Sequence, residues 1–380
     1  MTMHIANGLI FTDSCTFEKK DILITQDKIT ALLPPHSPPV EPIVLYDATD
    51  CYVIPGLTDI HFHGCMGHDF CEGTVEALAA IASYELRQGI TTICPATMAL
   101  PEHQLIKICK VASNYKPTLL GATLCGINLE GPFLSFSKRG AQNAAYLHRP
   151  DIPMLERLLT ASNHLIKLVA IAPEEEGAHE CISTFKDQVT FSLAHTSADY
   201  TIAMKAFEMG ARHVTHLYNA MLAFSHRAPG LIGAAFDTPH CMVELICDGI
   251  HISPSVVRAT FKLFGDERIV LISDSMMACG MPNGTYSLGG QTVTVTQNVA
   301  TLEDGTIAGS IVHLMDCVRT AIKMGIPMES AIKAATLNPA KAIGIHQNYG
   351  SITPHKVANL LILNKDLSIR DIFFNGILIK

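Results

Sequence analysis

Residues 189–216 read VTFSLAHTSADYTIAMKAFEMGARHVTH and hold one copy of the pattern that decides the fold. An apolar segment, Val189 to Ala194, is followed by an amphipathic segment, Tyr200 to Met209, and then by a second apolar segment, Arg212 to Thr215. Gly210 follows the amphipathic segment, where a helix commonly ends. The stretch therefore predicts a strand, a helix and a second strand, which is the unit of a parallel sheet with crossover helices.

The same alternation extends in both directions along the chain. Eight strand segments can be drawn: Tyr52 to Ile60, Ile90 to Pro95, Leu119 to Leu129, Ile166 to Ala172, Val189 to Ala194, Arg212 to Thr215, Met242 to Cys247 and Arg268 to Ser273. Helices are expected between them, for example Thr74 to Gln88 before Gly89. Eight such units over about 290 residues are typical of an α/β fold, the (β/α)8 TIM barrel. A doubly wound open sheet is the alternative, but its glycine-rich first turn is not found.

Both ends of the chain have a different pattern of apolar and polar residues. Short apolar stretches, Met3 to Phe11 and Asp21 to Leu33, precede a proline-rich segment, and similar stretches return at Ala358 to Leu363 and Ile372 to Ile379. These patterns are typical of antiparallel strands joined by turns. We therefore expect a small β-sandwich domain formed by residues 1–52 and 348–380, around a barrel domain of residues 53–347.

Composition excludes several classes of function. The chain has 380 residues, of which 48% are hydrophobic, so disorder is excluded as its main state. With 27 Lys+Arg against 35 Asp+Glu and a formal net charge of −8, it lacks the basic surface that nucleic acid requires. Its apolar runs are shorter than the roughly 20 residues that cross a bilayer, so no membrane partner is expected. Twelve scattered cysteines without a C-x-x-C pair, and no secretory signal, predict a cytoplasmic protein.

In a barrel of this kind the residues that follow the strands face one pocket. Those residues are His61-Phe62-His63 after strand one, Glu130 after strand three, His195 after strand five, His216 after strand six, Asp248 to His251 after strand seven and Asp274 after strand eight. Imidazole nitrogens and carboxylate oxygens from several strands can surround a divalent metal and leave one position open. The set therefore predicts a metal centre, although any one of these histidines alone would more simply be a core residue.

Two of these strand ends carry more specific information. His61 and His63 lie on the same face of an extended strand, because alternate side chains point the same way. Asp274 follows the apolar run 269–272 and can take a proton from water whose pKa a metal has lowered. The competing interpretation of Asp274 is a turn or a helix N-cap, and only its place after strand eight favours the catalytic one.

Several motifs occur in order along nearly the whole chain. They are Pro55-Gly56-Leu57-Thr58-Asp59, Leu129-Glu130-Gly131-Pro132-Phe133, Thr215-His216-Leu217-Tyr218-Asn219-Ala220-Met221, His226-Arg227-Ala228-Pro229-Gly230, Cys247-Asp248-Gly249-Ile250-His251, Ala308-Gly309-Ser310 and Asn338-Pro339-Ala340-Lys341-Ala342. In these motifs the chain resembles the N-acetylglucosamine-6-phosphate deacetylase family of the amidohydrolase superfamily. The resemblance implies hydrolysis of the acetamide of an amino-sugar phosphate, a small-molecule substrate, to acetate and the amino sugar.

The resemblance also implies roles for single residues. Glu130, His195 and His216 would hold the main divalent ion, and His61 and His63 would belong to a second position, which gives one or two ions per subunit. Asp274 would act as general base and then as general acid. The substrate contacts would come from Asn219, Ala220, Arg227, His251, Ile307, Ala308 and Gly309. Arg227 would reach the site of a neighbouring subunit, which implies a homodimer.

The identity of the metal and one pocket residue are less determined. Zn²⁺ suits histidine and glutamate ligands with an open position, but Fe²⁺, Co²⁺ and Mn²⁺ fit the same atoms. The family usually has histidine where this chain has Gln142, within Lys138-Arg139-Gly140-Ala141-Gln142-Asn143. Glutamine donates and accepts hydrogen bonds but carries no positive charge, so carbonyl polarisation or the preferred sugar epimer can differ. The hypothesis is that Gln142 contacts the substrate.

Three other functions remain open. Deacetylation of N-acetylgalactosamine-6-phosphate would use the same residues. A cyclic amidase with two metals bridged by a modified lysine is less favoured, because strand three ends in Glu130 and Arg227 with His251 favours a phosphate. A sugar-phosphate binding protein without catalysis would have no use for a general base at Asp274.

Overall fold

The computed structural model describes residues 2–38, 43–118 and 120–379. Its central feature is a ring of eight parallel strands, one from each predicted segment. These strands are Leu57–Asp59, Ile90–Ile93, Ile127–Leu129, Ile166–Ile171, Thr190–Leu193, His213–Val214, Met242–Ile246 and Ile269–Ile272. Strands three to eight form one continuous parallel sheet, and strands one and two pair in parallel beside it.

Hydrogen bonds join these two sheets at both seams. Between strands two and three, the N–H of Asn128 donates to the carbonyl of Pro95 over 2.9 Å. Between strands eight and one, the N–H of Asp274 donates to the carbonyl of His61 over 2.9 Å. The eight strands therefore form a TIM-barrel-like α/β domain, and the carboxyl ends of all of them lie at one face.

Helices cover the outside of this ring. The α-helices are Val75–Arg87, Glu102–Asn114, Ile152–Ala161, Ala178–Phe185, Tyr200–Met209, Gly230–Phe236, Pro254–Phe264, Leu314–Lys323, Met328–Ala335 and Leu337–Ala342, with short 3₁₀ turns at Phe70–Glu72, Phe136–Lys138 and Ala144–Tyr146. The first helix begins where the Thr74 side chain accepts a hydrogen bond from the Ala77 N–H, and Gly89 ends it with a φ of +86°. Both predicted helices, with their glycine ends, are thus present.

Two predicted strands are each divided at a glycine. The segment Tyr52 to Ile60 changes sheets at Gly56, where a Cβ atom would lie 2.3 Å from Thr91 Oγ1. Its first part, Tyr52–Pro55, pairs with strands of the two termini and only Leu57–Asp59 belongs to the barrel. The segment Leu119 to Leu129 begins at a residue outside the described ones, and its remainder divides at Gly126 into Thr123–Leu124 and Ile127–Leu129.

The terminal residues form two further sheets. One has the strands Lys28–Leu33, Asp21–Thr25, Thr2–Ala6 and Ile43–Asp47, and the other has Ile377–Leu378, Ile369–Phe374, Leu360–Leu363, Tyr52–Pro55, Leu9–Phe11 and Phe17–Lys19. Side chains of both sheets, among them Ile5, Ile22, Val53, Ile362 and Phe373, share one buried apolar cluster that is separate from the barrel core. The first and last parts of the chain therefore lie together.

An insertion follows strand eight before the next helix begins. It contains an antiparallel sheet of Gly284–Leu288, Gln291–Thr296 and Val299–Thr301, and a smaller pair, Gly64–Cys65 with His68–Asp69, follows strand one. Both insertions lie at the carboxyl ends of barrel strands, where they can cover a site. Among the described residues, no helix has both the length and the apolar character to cross a membrane.

Candidate active site

Six predicted metal ligands and acids converge at the carboxyl-terminal face of the barrel. They form two groups, Glu130 with His195 and His216, and His61 with His63 and Asp274, and in each group the potential ligand atoms lie within 4.8 Å of one another. All six side chains are buried. Residues from strands one, three, five, six and eight are therefore brought together at one point, as the strand-end argument predicts.

In the first group, one carboxylate oxygen faces two imidazoles. Glu130 Oε1 lies 3.1 Å from His195 Nε2 and 3.2 Å from His216 Nε2, and the two Nε2 atoms are 3.1 Å apart. The Nδ1–H of His195 donates to the carbonyl of Lys138 over 2.9 Å, which turns Nε2 toward the site. Such a hydrogen bond on the far ring nitrogen is the usual support of a metal-binding histidine.

The histidines of the second group also face Glu130, which belongs to the first. His63 Nε2 lies 3.3 Å from Glu130 Oε2 and 3.4 Å from Asp274 Oδ1. His61 Nε2 lies 3.5 Å from Glu130 Oε1 and 3.7 Å from Asp274 Oδ1, and it has no hydrogen-bond partner although it is buried. A buried imidazole nitrogen without a partner, directed at two carboxylates, fits a divalent cation. The donor set as a whole fits such an ion at either position.

The backbone is strained where three of these side chains leave their strands. His195, His216 and Asp274 have φ values of +44°, +28° and +48° and so adopt the left-handed region that residues with a Cβ rarely enter. The barrel holds them there with hydrogen bonds, such as the one from the Ser310 N–H to the carbonyl of Asp274 over 2.7 Å. Strain of this kind is concentrated at functional sites, where it fixes side-chain direction.

The charges at the site favour an ionised Asp274. Burial acts to raise the pKa of Asp274, but the hydrogen bond from His63 and the charge of His61 outweigh it and lower that pKa. The neighbouring histidines likewise hold the pKa of Glu130 well below its ordinary value despite burial. Asp274 is therefore ready to accept a proton at neutral pH.

A cavity of about 320 Å³ opens over these groups. Its walls include the predicted residues His63, Glu130, Gln142, His195, His216, Asn219, Ala220, His251, Asp274, Ile307 and Gly309. Ala308 is fully buried and is not part of the wall. Arg227 is exposed and does not line the cavity, so it cannot contact a ligand there in the conformation described.

Gln142 is held by its own protein partners. Its Nε2 donates to Glu130 Oε2 over 2.9 Å, and its Oε1 accepts from the N–H of Ala99 over 2.7 Å. The second amide proton faces Met98 Sδ, a weak acceptor 3.6 Å from Nε2, and the second lone pair of Oε1 remains for a ligand because the side chain lines the cavity. Gln142 is thus placed to hold Glu130 as well as to contact the substrate.

His251 has a carboxylate behind it. Its Nδ1–H donates to Asp248 Oδ2 over 2.7 Å, which leaves Nε2 on the side of the ring that faces away from Asp248. Burial acts to lower the pKa of His251, but the hydrogen bond and charge of Asp248 raise it overall. The raised pKa favours the cationic form of the His251 imidazole, and a cation in the cavity wall suits an anionic group such as a phosphate.

Sequence reasoning missed several groups around the site. Glu244 is fully buried beneath it and accepts a hydrogen bond from His61 Nδ1 over 2.9 Å. A carboxylate within the apolar run of strand seven was the signal that could have found it, because such a residue needs a partner inside the barrel. The cavity is also lined by Met98, Leu288 and Thr306. Leu288 belongs to the insertion after strand eight and Thr306 follows its last strand, and the sequence does not reveal where this insertion lies.

The chain is similar to several known proteins over most of its length. The sequence matches the Amidohydrolase family over residues 52–378. It is 36% identical over 326 residues to N-acetylglucosamine-6-phosphate deacetylase of Bacillus subtilis (strain 168), covering 84% of this chain and 82% of the relative. It is 33% identical over 327 residues to N-acetylgalactosamine-6-phosphate deacetylase of Escherichia coli O157:H7, covering 85% and 86%.

A solved structure is also closely similar. It is a mutant N-acetyl-D-glucosamine-6-phosphate deacetylase from Mycobacterium smegmatis in complex with N-acetyl-D-glucosamine-6-phosphate. The two chains are 28% identical with a TM-score of 0.91, and the match covers 100% of this chain and 98% of the other. Because the family match extends over most of the sequence and several relatives exceed 30% identity, the chain belongs to the amidohydrolase family.

Proposed function

We propose that the protein is an N-acetylglucosamine-6-phosphate deacetylase, which hydrolyses the substrate's acetamide to acetate and glucosamine-6-phosphate. The observation that carries this proposal is the position of Asp274, an ionised acid beside two histidines and Glu130 in the wall of a cavity. The similarity to deacetylases over more than four fifths of the chain supports the same substrate class.

Glu130, His195 and His216 would hold the main divalent ion, and His61 and His63 with Asp274 would form the second position. A bound divalent ion polarises an amide carbonyl and lowers the pKa of water toward about 7. Zn²⁺ suits these ligands, and Fe²⁺, Co²⁺ or Mn²⁺ suits the same atoms. One or two ions per subunit would bind, depending on the affinity of the second position.

Asp274 performs the proton transfers in this proposal. Its carboxylate accepts a proton from the attacking water as the water oxygen bonds to the carbonyl carbon. The protonated Asp274 then gives that proton to the amide nitrogen as the C–N bond breaks, because an amine leaves as a neutral molecule. One water is consumed, and acetate and the amino sugar are released.

His251, Asn219 and Ala220 would contact the sugar phosphate, with Ile307 and Gly309 forming the sugar side of the pocket and the buried Ala308 joining them behind the wall. Arg227 would bind the phosphate in the site of a second subunit, because its exposed guanidinium can make two parallel charge-assisted hydrogen bonds. Leu222 and Phe224 are exposed apolar side chains near it, which supports a homodimer interface at this segment.

The galacto epimer is the second candidate substrate. A relative named as a deacetylase of N-acetylgalactosamine-6-phosphate is 33% identical, close to the 36% of the gluco enzyme. Gln142 in the pocket wall is a polar contact that differs from the family's usual histidine and can influence this choice.

Two further features belong to the proposal. The terminal sheets would form a small β-sandwich domain from residues 1–52 and 348–380, around a barrel of residues 53–347. Because the strand Tyr52–Pro55 pairs with a terminal strand, the boundary between the two domains would lie a few residues after residue 52. A cytoplasmic location is supported by twelve free cysteines, which suit a reducing compartment.

The experiment measures acetate release by the purified protein, loaded with each divalent metal in turn, from both N-acetylated epimers and from the unphosphorylated sugar. Fastest turnover of N-acetylglucosamine-6-phosphate is expected. Faster turnover of the galacto epimer would identify the protein as a deacetylase of N-acetylgalactosamine-6-phosphate instead. No turnover with metal bound would refute deacetylation.

In the same assay Arg227→Lys is expected to raise KM about tenfold, since lysine keeps the charge but loses the bidentate contact.

A further inference from the structure

Glu244 is a carboxylate that lies beneath the site and does not line its cavity. It is on strand seven, Met242–Ile246, and its exposed fraction is 0%. We propose that Glu244 is a positioning residue that holds His61 with Nε2 toward the second metal position, and that it thereby determines how strongly a second ion binds. This inference rests on the proposed function, because it deepens the role of that metal centre.

One oxygen of Glu244 connects both groups of ligands. Glu244 Oε2 accepts the Nδ1–H of His61 over 2.9 Å and the backbone N–H of His216 over 3.1 Å. We assign the proton to Nδ1 of His61, because a carboxylate oxygen at this distance can only accept. The other ring nitrogen, Nε2, is then the atom left to bind a metal.

The four histidines of the site differ in what supports their rings. His61 Nδ1 is hydrogen-bonded to a carboxylate, and His195 Nδ1 is bonded to the carbonyl of Lys138. The Nδ1 atoms of His63 and His216 have no hydrogen-bond partner within the part of the chain that the structure describes. A carboxylate behind an imidazole increases its basicity as a metal ligand more than a neutral acceptor does. Among these histidines, therefore, His61 has the strongest support.

The effect of Glu244 should be selective for the second position. It contacts the ring of His61 but only the main chain of His216, so its charge polarises one metal ligand and merely anchors the other. Another titratable neighbour, His213, has Nδ1 3.7 Å from Glu244 Oε1 and a pKa lowered by burial. In the described residues no lysine or arginine forms an ion pair with Glu244, so His61 is its closest partner.

The experiment measures the dissociation constants of the first and second Zn²⁺ ions in the full-length protein, with free metal set by a chelator buffer. In Glu244→Gln the amide oxygen can accept the same two hydrogen bonds while the negative charge is removed. Loss of such support typically weakens metal binding about 10- to 100-fold, and we expect this loss for the second ion with the first changed by less than about threefold. The matched control is Glu85→Gln, which removes another buried carboxylate, on helix Val75–Arg87, and should change neither constant.

The outcomes separate this inference from the proposed function. Unchanged binding of the second ion in Glu244→Gln would overturn the inference, and so would equal weakening of both ions, which would mark Glu244 as a support of the barrel. A wild-type protein that binds a single ion would overturn it as well. Acetate release by wild-type protein is measured in parallel, and its absence with metal bound refutes the proposed function independently of these constants.

A measurement on the wild-type protein covers the case in which Glu244→Gln does not fold. The nitrogen-15 NMR signals of the His61 ring are followed as Zn²⁺ is added. We expect Nδ1 to keep its proton while Nε2 shows the shift of a metal ligand as the second equivalent binds. Loss of the Nδ1 proton on binding would overturn the assigned orientation.

Discussion

Two pairs of buried acids in the barrel experience opposite electrostatic environments. Glu130 and Asp274 lie at the carboxyl ends of their strands among histidines, and neighbouring imidazoles lower the pKa of both despite burial. Asp59, in strand one, and Glu85, on the helix that follows it, are just as buried. Burial raises the pKa of Asp59 to about 7 and that of Glu85 to about 8.

The difference shows that burial alone does not decide the charge of a carboxyl group. Each of the four loses its hydration, which favours the neutral acid. Among these four acids of the described chain, only the pair at the strand ends has imidazole nitrogens within 4 Å to reverse that preference. At neutral pH the first pair is therefore ready to bind a cation or to accept a proton, whereas the second pair affects mainly the stability of the fold.

The largest expected effect follows from removing the base. Asp274→Asn keeps the size of the side chain but cannot accept a proton, and general acid–base catalysis typically contributes about 10²- to 10⁴-fold. We expect kcat for acetate release to fall by that factor at saturating metal. Glu85→Gln, which changes the other acid pair, should retain the wild-type kcat. An equal loss in both variants would mean that the two pairs do not differ in function.

A second effect, of comparable free energy, concerns stability. Because the folded-state pKa of Glu85 is about 8 and its ordinary value is 4.5, folding favours its protonated form. The stabilisation is complete below about pH 4.5 and is lost as pH rises through 8, by an amount on the order of 5 kcal/mol. Glu85→Gln cannot titrate, so its free energy of unfolding should fall less steeply with pH.

Urea unfolding of both proteins at about pH 5, 7 and 9 measures this difference. Asp59 titrates in a lower window, with a folded-state pKa of about 7, and it is present in both proteins. The difference between the two curves therefore isolates Glu85. Curves that stay parallel from pH 5 to 9 would show that Glu85 is ionised or hydrated in the folded protein.

The sequence predicts the site better than it predicts its supports. The strand ends followed from hydrophobic periodicity, so the sequence alone assigns His61, Glu130, His195, His216 and Asp274 to one face of the barrel. Each of these residues is polar and directly follows an apolar run, and this pattern is what identifies it. This signal is strong because the barrel topology brings all such positions together.

The remaining parts depend on contacts between distant segments. Glu244 meets His61 across the barrel interior, and no local pattern specifies that the two face each other. The breaks at Gly56 and Gly126 follow from close approach to Thr91 and Lys167, which belong to neighbouring strands. Sequence reasoning treated these segments as continuous, because periodicity reports which face is buried and not which sheet a residue joins.

The smallest expected effect comes from Gln142, an uncharged neighbour of the acid pair at the site. Its amide donates to Glu130 Oε2 over 2.9 Å, so Gln142→Ala removes one hydrogen bond to a charged group. A loss of about 1.4 kcal/mol corresponds to about a tenfold lower kcat/KM when the metal concentration is subsaturating. Gln188→Ala, an exposed glutamine before strand five at the opposite end of the barrel, is the control and should leave kcat/KM unchanged.

The manner of that loss distinguishes the two roles of Gln142. If Gln142 acts by holding Glu130, the Gln142→Ala protein binds its first metal ion more weakly, and KM at saturating metal stays near the wild-type value. If it acts by contacting the substrate, KM rises while metal affinity is unchanged. Since both polar atoms of Gln142 already have protein partners, we expect the first result. Wild-type metal affinity and kinetics in Gln142→Ala would show that Glu130 is held by the histidines alone.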